Sequence, residues 1–351
     1  MNRLRVALSL AASLLLAGCD TLGYYGQAVS GQLNILLQRR AIPSLLAEPA
    51  TPLLLREQLQ QVQALREFAQ DSLQLPVGRQ FSSYVDVKAP YVVWNVFAAP
   101  EFSLEPLTWC FPVAGCVAYR GYFSEAAARG FAEVLRVEGY DVHVGGVTAY
   151  STLGWFADPV LNTVIGREPW QVASLIFHEL AHQLVYVPGD TVFNESFATT
   201  VEQHGLQRWL QQTQDAAMAQ DVLMRAAADQ EQRARFVALV QAAVADLRVL
   251  YAGESEPVQL RAAKQARIDL LRMEYRDLQQ NRGGDLSYDG WPAQELNNAV
   301  LLTVATYNEQ VPALSRVLQE ECADDLSCFY ARARELAALD TAARRAALAL
   351  P

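Results

Sequence analysis

The segment Ser174-Leu175-Ile176-Phe177-His178-Glu179-Leu180-Ala181-His182-Gln183-Leu184-Val185 concentrates the chemistry of the chain. Two imidazoles four positions apart leave the same face of a helix and can reach one ion. Glu179 is turned about 100° from His178 around such a helix, which sets its carboxylate beside the ion, within reach of a bound water. Histidines aside, Glu179 is the only ionisable acid or base between Ala173 and Val185, and no proline interrupts the run. A helix of that composition is built to be buried. A hydrolytic zinc site needs a third protein ligand and an open position for water. Glu195 lies thirteen residues past His182, in the first or second turn of the next helical pattern. The intervening Pro188-Gly189 turn allows the two helices to fold back and aim that carboxylate at the histidines. An acid in a first turn can also serve the helix dipole alone, and that reading of Glu195 stays open here.

Asn194-Glu195-Ser196-Phe197-Ala198, taken with HExxH, resembles the gluzincins, whose third ligand is a glutamate on the following helix and whose aminopeptidase branch carries Asn-Glu-x-Phe-Ala. The resemblance implies one zinc per chain on His178, His182 and Glu195, with Glu179 as general base in peptide hydrolysis. A wider set of segments resembles bacterial lipoproteins described as predicted aminopeptidases: Trp109-Cys110-Phe111-Pro112, Gly115-Cys116, residues 119–123, the loop 154–159 and His178-Glu179-Leu180-Ala181-His182-Gln183. It covers most of the mature chain and implies a peptide as substrate. The chain departs from the thermolysin pattern in two places. Its connection from His182 to Glu195 is shorter, and Thr199 stands where thermolysin has an aspartate that orients a histidine.

Support for the ligands is therefore expected from Glu202, two turns after Glu195, and from Asp190. Glu202 and His204 are equally readable as surface residues. The oxyanion of a tetrahedral intermediate needs a further donor. Tyr307 is the preferred residue, with Tyr150 and Tyr186 as alternatives. Glu101, Glu105 and Asp158 are the acids available to grip a substrate α-ammonium. His143, alone in a strand pattern, reads as structural.

The elements that must position these groups give an α+β fold, predominantly helical. A small strand-rich segment precedes the zincin-like HExxH helix and a helical body. Residues 26–37 and 52–73 read as helices. Tyr91-Val92-Val93-Trp94-Asn95-Val96-Phe97 is β-branched and aromatic, the texture of a strand. Ser124 caps a helix to Glu138, and residues 141–150 suggest another strand. One helix is expected over 169–187, stopped by Pro188-Gly189, and the next runs from an Asp190 or Thr191 cap to about residue 212. Long Ala/Gln/Arg-rich helices follow at 216–250 and 256–281, then a glycine break over 283–290, a helix at 292–306 and a last group over 312–348. The organisation expected is a signal segment at 1–18, an N-terminal helical segment at 19–83, a catalytic core at 84–212 and a helical region at 213–351 completing the cleft.

The 351 residues carry a net charge of −10, and only Lys88 and Lys264 among the 28 basic residues are lysines. An acidic surface argues against nucleic acid as a partner. Arg3 and Arg5, an apolar stretch from Val6 to Leu16 and then Leu16-Ala17-Gly18-Cys19 resemble a bacterial lipoprotein signal. That resemblance implies a lipid on Cys19 and a periplasm-facing place in the cell envelope. Asp20 follows the enteric rule for inner-membrane retention, and which membrane holds the anchor is left open. Cys110, Cys116, Cys322 and Cys328 form two local pairs, and in an oxidising compartment the simplest connectivity is 110–116 with 322–328. A rival class is a lipid-anchored envelope scaffold or chaperone-like protein with a structural zinc. The intact Glu179 argues against it, because a purely structural site has no use for a base.

Overall fold

The structure is a computed structural model that describes residues 23–111, 115–149, 151–152, 154–280, 291, 293–305 and 310–348. Helix α1 (23–38) leads into β1 (Arg40–Ala41), α2 (Ile42–Ala47) and α3 (Leu53–Asp71). β1 pairs antiparallel with β2 (Ser83–Val85), and β2 pairs parallel with β8 (Val160–Leu161), the strand that delivers the chain to the histidine helix. A second sheet has β3 (Val93–Pro100) at its centre, between β6 (Arg120–Tyr122) and β7 (Tyr140–Val147). All its pairings are antiparallel, with Trp94 opposite both Tyr122 and Gly146. β4 (Trp109–Phe111) and β5 (Gly115–Val117) make a hairpin whose Cys110 and Cys116 are joined. Helix α4 (Glu125–Val137) starts where the Ser124 hydroxyl accepts from Ala127 N, and lays Ala128, Ala132 and Leu135 on Val96, Ala98 and Val142 of the sheet.

Short α5 (Asn162–Ile165) precedes α6 (Pro169–Ala181) and α7 (Thr191–Thr213). These two helices share the main core with α3 and with α12 (Leu326–Ala337). Leu59, Val62 and Leu65 of α3 meet Ile176, Phe177 and Leu180 of α6, while Phe193, Phe197 and Val201 of α7 meet Phe329 and Tyr330 of α12. Gly205 permits this closeness: a Cβ there would stand 2.8 Å from Leu73 and 3.0 Å from Phe177. Beyond α7, α8 (Ala216–Tyr251) and α9 (Pro257–Gln280) bury a second core with α10 (Asn298–Ala305), around Phe236, Tyr275 and Trp291. The chain ends with α11 (Val311–Arg316), one π turn (Val317–Glu321), α12 and α13 (Thr341–Leu348). Cys322 and Cys328, joined, close the loop before α12.

A buried polar junction fastens the α8–α10 body to the sheet. The fully buried Asn298 donates through Nδ2 to the carbonyls of Pro100, Glu101 and Ser103, and Tyr251 Oη donates to its Oδ1. Lys264 Nζ donates to Glu101 O and to the Asp141 carboxylate, which also accepts from Asn298 N. The Lys264–Asp141 charges are thus paired and hydrogen-bonded, as burial demands. This junction also explains a difference from the sequence reading: α10 begins only at Asn298, because that side chain is committed to three carbonyls of the strand end. The small β1–β2–β8 sheet is a second difference, since runs of two or three residues carry no periodicity. The glycine break at 283–290 and the lipobox with Cys19 lie outside the described residues. Among the described residues no helix is long and apolar enough to cross a membrane.

Candidate metal centre

Helix α6 is set by Pro169 in its first turn and by a reciprocal cap between Glu168 and Gln171. Val172, Ala173, Ile176, Phe177, Leu180 and Ala181 are buried, so the helix is fixed on most of its circumference. His178 and His182 emerge together on the side facing α7. The helix ends at Ala181 rather than near residue 187, with His182 as its cap residue in helical conformation. The reason lies across the turn. Asn194, 2% exposed, donates through Nδ2 to Val187 O and accepts Val187 N on Oδ1. That two-way clamp holds Val187 outside any helix and draws the 182–190 turn onto the first turn of α7. Gly189, at φ +83°, makes the reversal. The residue after Asn194 is Glu195, which the clamp therefore presents to the histidines.

His178 Nε2 lies 3.2 Å from His182 Nε2 and 3.3 Å from Glu195 Oε2, and His182 Nε2 is 3.7 Å from Glu195 Oε1. Donors held about 2.0–2.1 Å from one tetrahedral ion stand roughly 3.3 Å apart, so this triangle has the size of a three-ligand face. His178, His182 and Glu195 are the group able to hold a metal ion among the described residues. On the far side of His178, Nδ1 is 3.0 Å from Glu202 Oε2. With Nδ1–H donating to that carboxylate, the His178 Nε2 lone pair is turned toward the triangle.

The electrostatics of the metal-free site point the same way. Burial opposes a charge on His178, yet the hydrogen-bonded carboxylates of Glu195 and Glu202 outweigh it and raise the imidazole to about 10. Burial and the neighbouring His178 charge push His182 down to about 4. Burial raises Glu179 to about 7; His178 opposes this, and the negative Glu195, Asp158 and Glu202 add to it. Glu195 is held low by His178 and His182 in spite of its own burial. Without an ion, a proton on His178 is what balances the carboxylates. Two neutral imidazoles and a carboxylate around a divalent cation meet the same demand with better-matched chemistry.

A cleft of about 700 Å³ opens from this triangle, bounded by His178, Glu195 and Glu202 on one side and by α8 on the other, where Gln230, Arg233 and Val237 face in. The sequence reading assigned the region 213–351 to the cleft without naming a residue of α8, because nothing local marks which face of a long Ala/Gln/Arg helix meets a site 40 residues upstream. The loop before β8 is held from within. The Asp158 carboxylate is buried and accepts from Thr152 N and Thr152 Oγ1, so it ties the loop to itself rather than offering a free anion. Gly154, at φ +83°, faces Gln183, immediately after His182.

The remaining residues singled out by type and spacing fall elsewhere. Asp190 does not touch the histidines. It caps α7 by accepting from Phe193 N and lies 3.5 Å from the buried Arg344, so it supports the helix that carries Glu195 rather than a histidine. Glu101 is bound to Arg261, and Glu105 is exposed. His143 stacks on Phe97 within the sheet. His204 faces Asp324 at 3.9 Å, lining a separate cavity. Tyr307 and Tyr150 lie outside the described residues. Tyr186 is half-buried, and burial together with the Glu195 charge raises its hydroxyl above the usual tyrosine range. Asn194 entered the sequence reading only as part of the motif, and its clamp on Val187 was not foreseen. Its signal was present: an amide directly before Glu195, at a position where a turn must be tied to a helix.

Fold and site together define a predominantly helical α+β protein with a His-His-Glu group able to hold a metal ion. The chain belongs to the family described as "Putative aminopeptidase", whose sequence profile matches residues 23–348. No curated protein matches the chain, and no solved structure does.

Proposed function

We propose that this chain is a zinc-dependent peptidase of the bacterial envelope, acting as an aminopeptidase and anchored by a lipid on Cys19. The observation that carries the reading is the donor triangle of His178, His182 and Glu195, which meets a cleft at His178 and Glu195, with Glu179 next to His178 in sequence. Family membership supports peptide hydrolysis. A bound zinc supplies Lewis-acid polarisation of the scissile carbonyl and makes a water acidic enough to lose a proton near neutral pH. Glu179 takes that proton as the water oxygen adds to the carbonyl carbon, then delivers it to the amine nitrogen as the C–N bond breaks. Among the described residues, Tyr186 is a candidate for the oxyanion whose hydroxyl senses the Glu195 charge, and Tyr307 keeps its place as the sequence candidate. Glu202 orients His178 through Nδ1.

The test is cleavage by the zinc-loaded full chain of a matched peptide pair, one with a free N-terminus and one acetylated. Release of the first residue from the free peptide alone is expected. Cleavage of both would make the enzyme an endopeptidase, and cleavage of neither across a broad library would favour an envelope scaffold. Glu202→Gln is expected to weaken zinc binding about 10–100-fold while leaving the fold intact, as read by competition with a chromogenic chelator. Unchanged affinity would leave Glu202 without the orienting role.

A further inference from the structure

We propose that the outer face of α1 lies on the surface of a lipid bilayer, which makes this helix a second membrane contact beside the anchor. The proposal rests on the Cys19 reading for its tether and on the helix itself for the surface. The outward positions of α1 are Tyr25, Gly26, Val29, Ser30, Leu33, Asn34, Leu37 and Gln38, none of them carrying a charge. Its large apolar members repeat every four residues, with Val29 58%, Leu33 51% and Leu37 83% exposed. Single exposed apolar residues are ordinary. A charge-free helical face with a leucine-rich stripe is the pattern of a helix that lies in a membrane interface.

Two further features narrow the occupant. The helix cannot roll to hide the stripe, because its other side is fixed to the sheet. Tyr24 packs on Tyr122 and Phe111 under the Arg120 guanidinium. The Gln27 side chain donates to Gly121 O and accepts from Phe123 N. A Cβ on Gly31 would stand 2.2 Å from the Phe123 ring, so the backbone itself rests on the sheet. In addition, residues 21–47 contain no Asp or Glu, although the chain holds 38 acids and a net charge of −10. An acid-free stretch in an acidic protein suits an anionic surface, which would repel the rest of the chain. Cys19 is four residues before the first residue of α1, so a lipid there would sit within about 14 Å of the helix. Sixteen helical residues span about 24 Å, enough to lie along the headgroups within reach of that tether.

The test uses the full chain in vesicles of phosphatidylethanolamine and phosphatidylglycerol. Single cysteines replace Val29, Leu33 or Leu37, with Val137 and Val258 as exposed controls on other helices, each labelled with an environment-sensitive dye. Flotation reports the anchor, and mass spectrometry reports the lipid on Cys19. Spin-labelled lipids should quench the dye at 29, 33 and 37 at least threefold more than at 137 and 258, with matching protection from iodide. In the Leu33→Glu, Leu37→Glu double variant the chain should still float while the dye at position 29 becomes open to iodide. Chains that float with positions 33 and 37 open to iodide would overturn the surface proposal and leave the anchor standing. Chains that do not float would overturn both. Protection that grows with protein concentration in the absence of vesicles would assign the face to a second copy and overturn the proposal.

Discussion

Glu179→Gln is expected to lower kcat by roughly 10²–10⁴-fold while one zinc per chain stays bound. The substitution keeps the size of the side chain and removes only its ability to accept a proton. Glu179 is not part of the His178, His182 and Glu195 triangle, so the ion keeps its three protein ligands. Burial lifts Glu179 to about 7 in the metal-free site, against His178 and with the help of Glu195, Asp158 and Glu202. Steady-state kinetics and elemental analysis on the same preparation check both halves of the prediction. A variant that binds zinc and still turns over at the wild-type rate would remove Glu179 as the base.

The same residue gives metal-stripped protein a pH dependence of known sign. A carboxyl raised from 4.5 to about 7 on folding contributes its full stability below the unfolded value and loses it as pH climbs through the folded one. Relative to wild type, stripped Glu179→Gln should therefore gain in Tm between about pH 5 and pH 8, as calorimetry would read.

His182→Ala and Glu195→Ala carry the second large effect. Each deletes one corner of the triangle, and zinc content should fall well below one per chain under mild dialysis. Metal assistance is worth several kcal/mol of transition-state stabilisation, and each 1.36 kcal/mol is a factor of ten. Activity should then drop by about 10³-fold or more. The two positions differ in their surroundings. The His182 side chain is 8% exposed and that of Glu195 is 29% exposed, so the histidine variant also leaves a buried gap and should lose more Tm. If Glu195→Ala retained full zinc and full activity, the third ligand would have to come from another residue.

The parts of the fold that the sequence made readable are those whose signal is local. The helix from Glu125, the strand around Val96 and the HExxH helix each announce themselves by period, cap or composition. The His-His-Glu group was readable for the same reason: His178 and the cap residue His182 stand one turn apart, and Glu195 follows Asn194 at the start of the next helix. What could not be read depends on residues far apart in the chain. The end of α6 at Ala181 follows from Asn194 reaching back to Val187, which defeats an apolar stretch that would otherwise prolong the helix. The late start of α10 follows from Asn298 binding carbonyls nearly 200 residues earlier. Asp190 and Glu202 looked alike as helpers of the histidines. Only the three-dimensional arrangement separates them, giving one to a helix cap and Arg344 and the other to His178.

The small hairpin of β4 and β5 has a practical consequence. A Cβ placed on Gly115, inside the loop that Cys110 and Cys116 close, would stand 3.7 Å from Gly189 N and from Pro188 Cβ, so the hairpin lies against the Pro188-Gly189 turn. The reversal between the helices that carry the histidines and Glu195 is therefore braced by a cross-link that only an oxidising environment maintains. Material produced in a reducing cytosol would carry the same sequence with an unbraced reversal. Assays for catalysis should start from exported or oxidatively refolded protein.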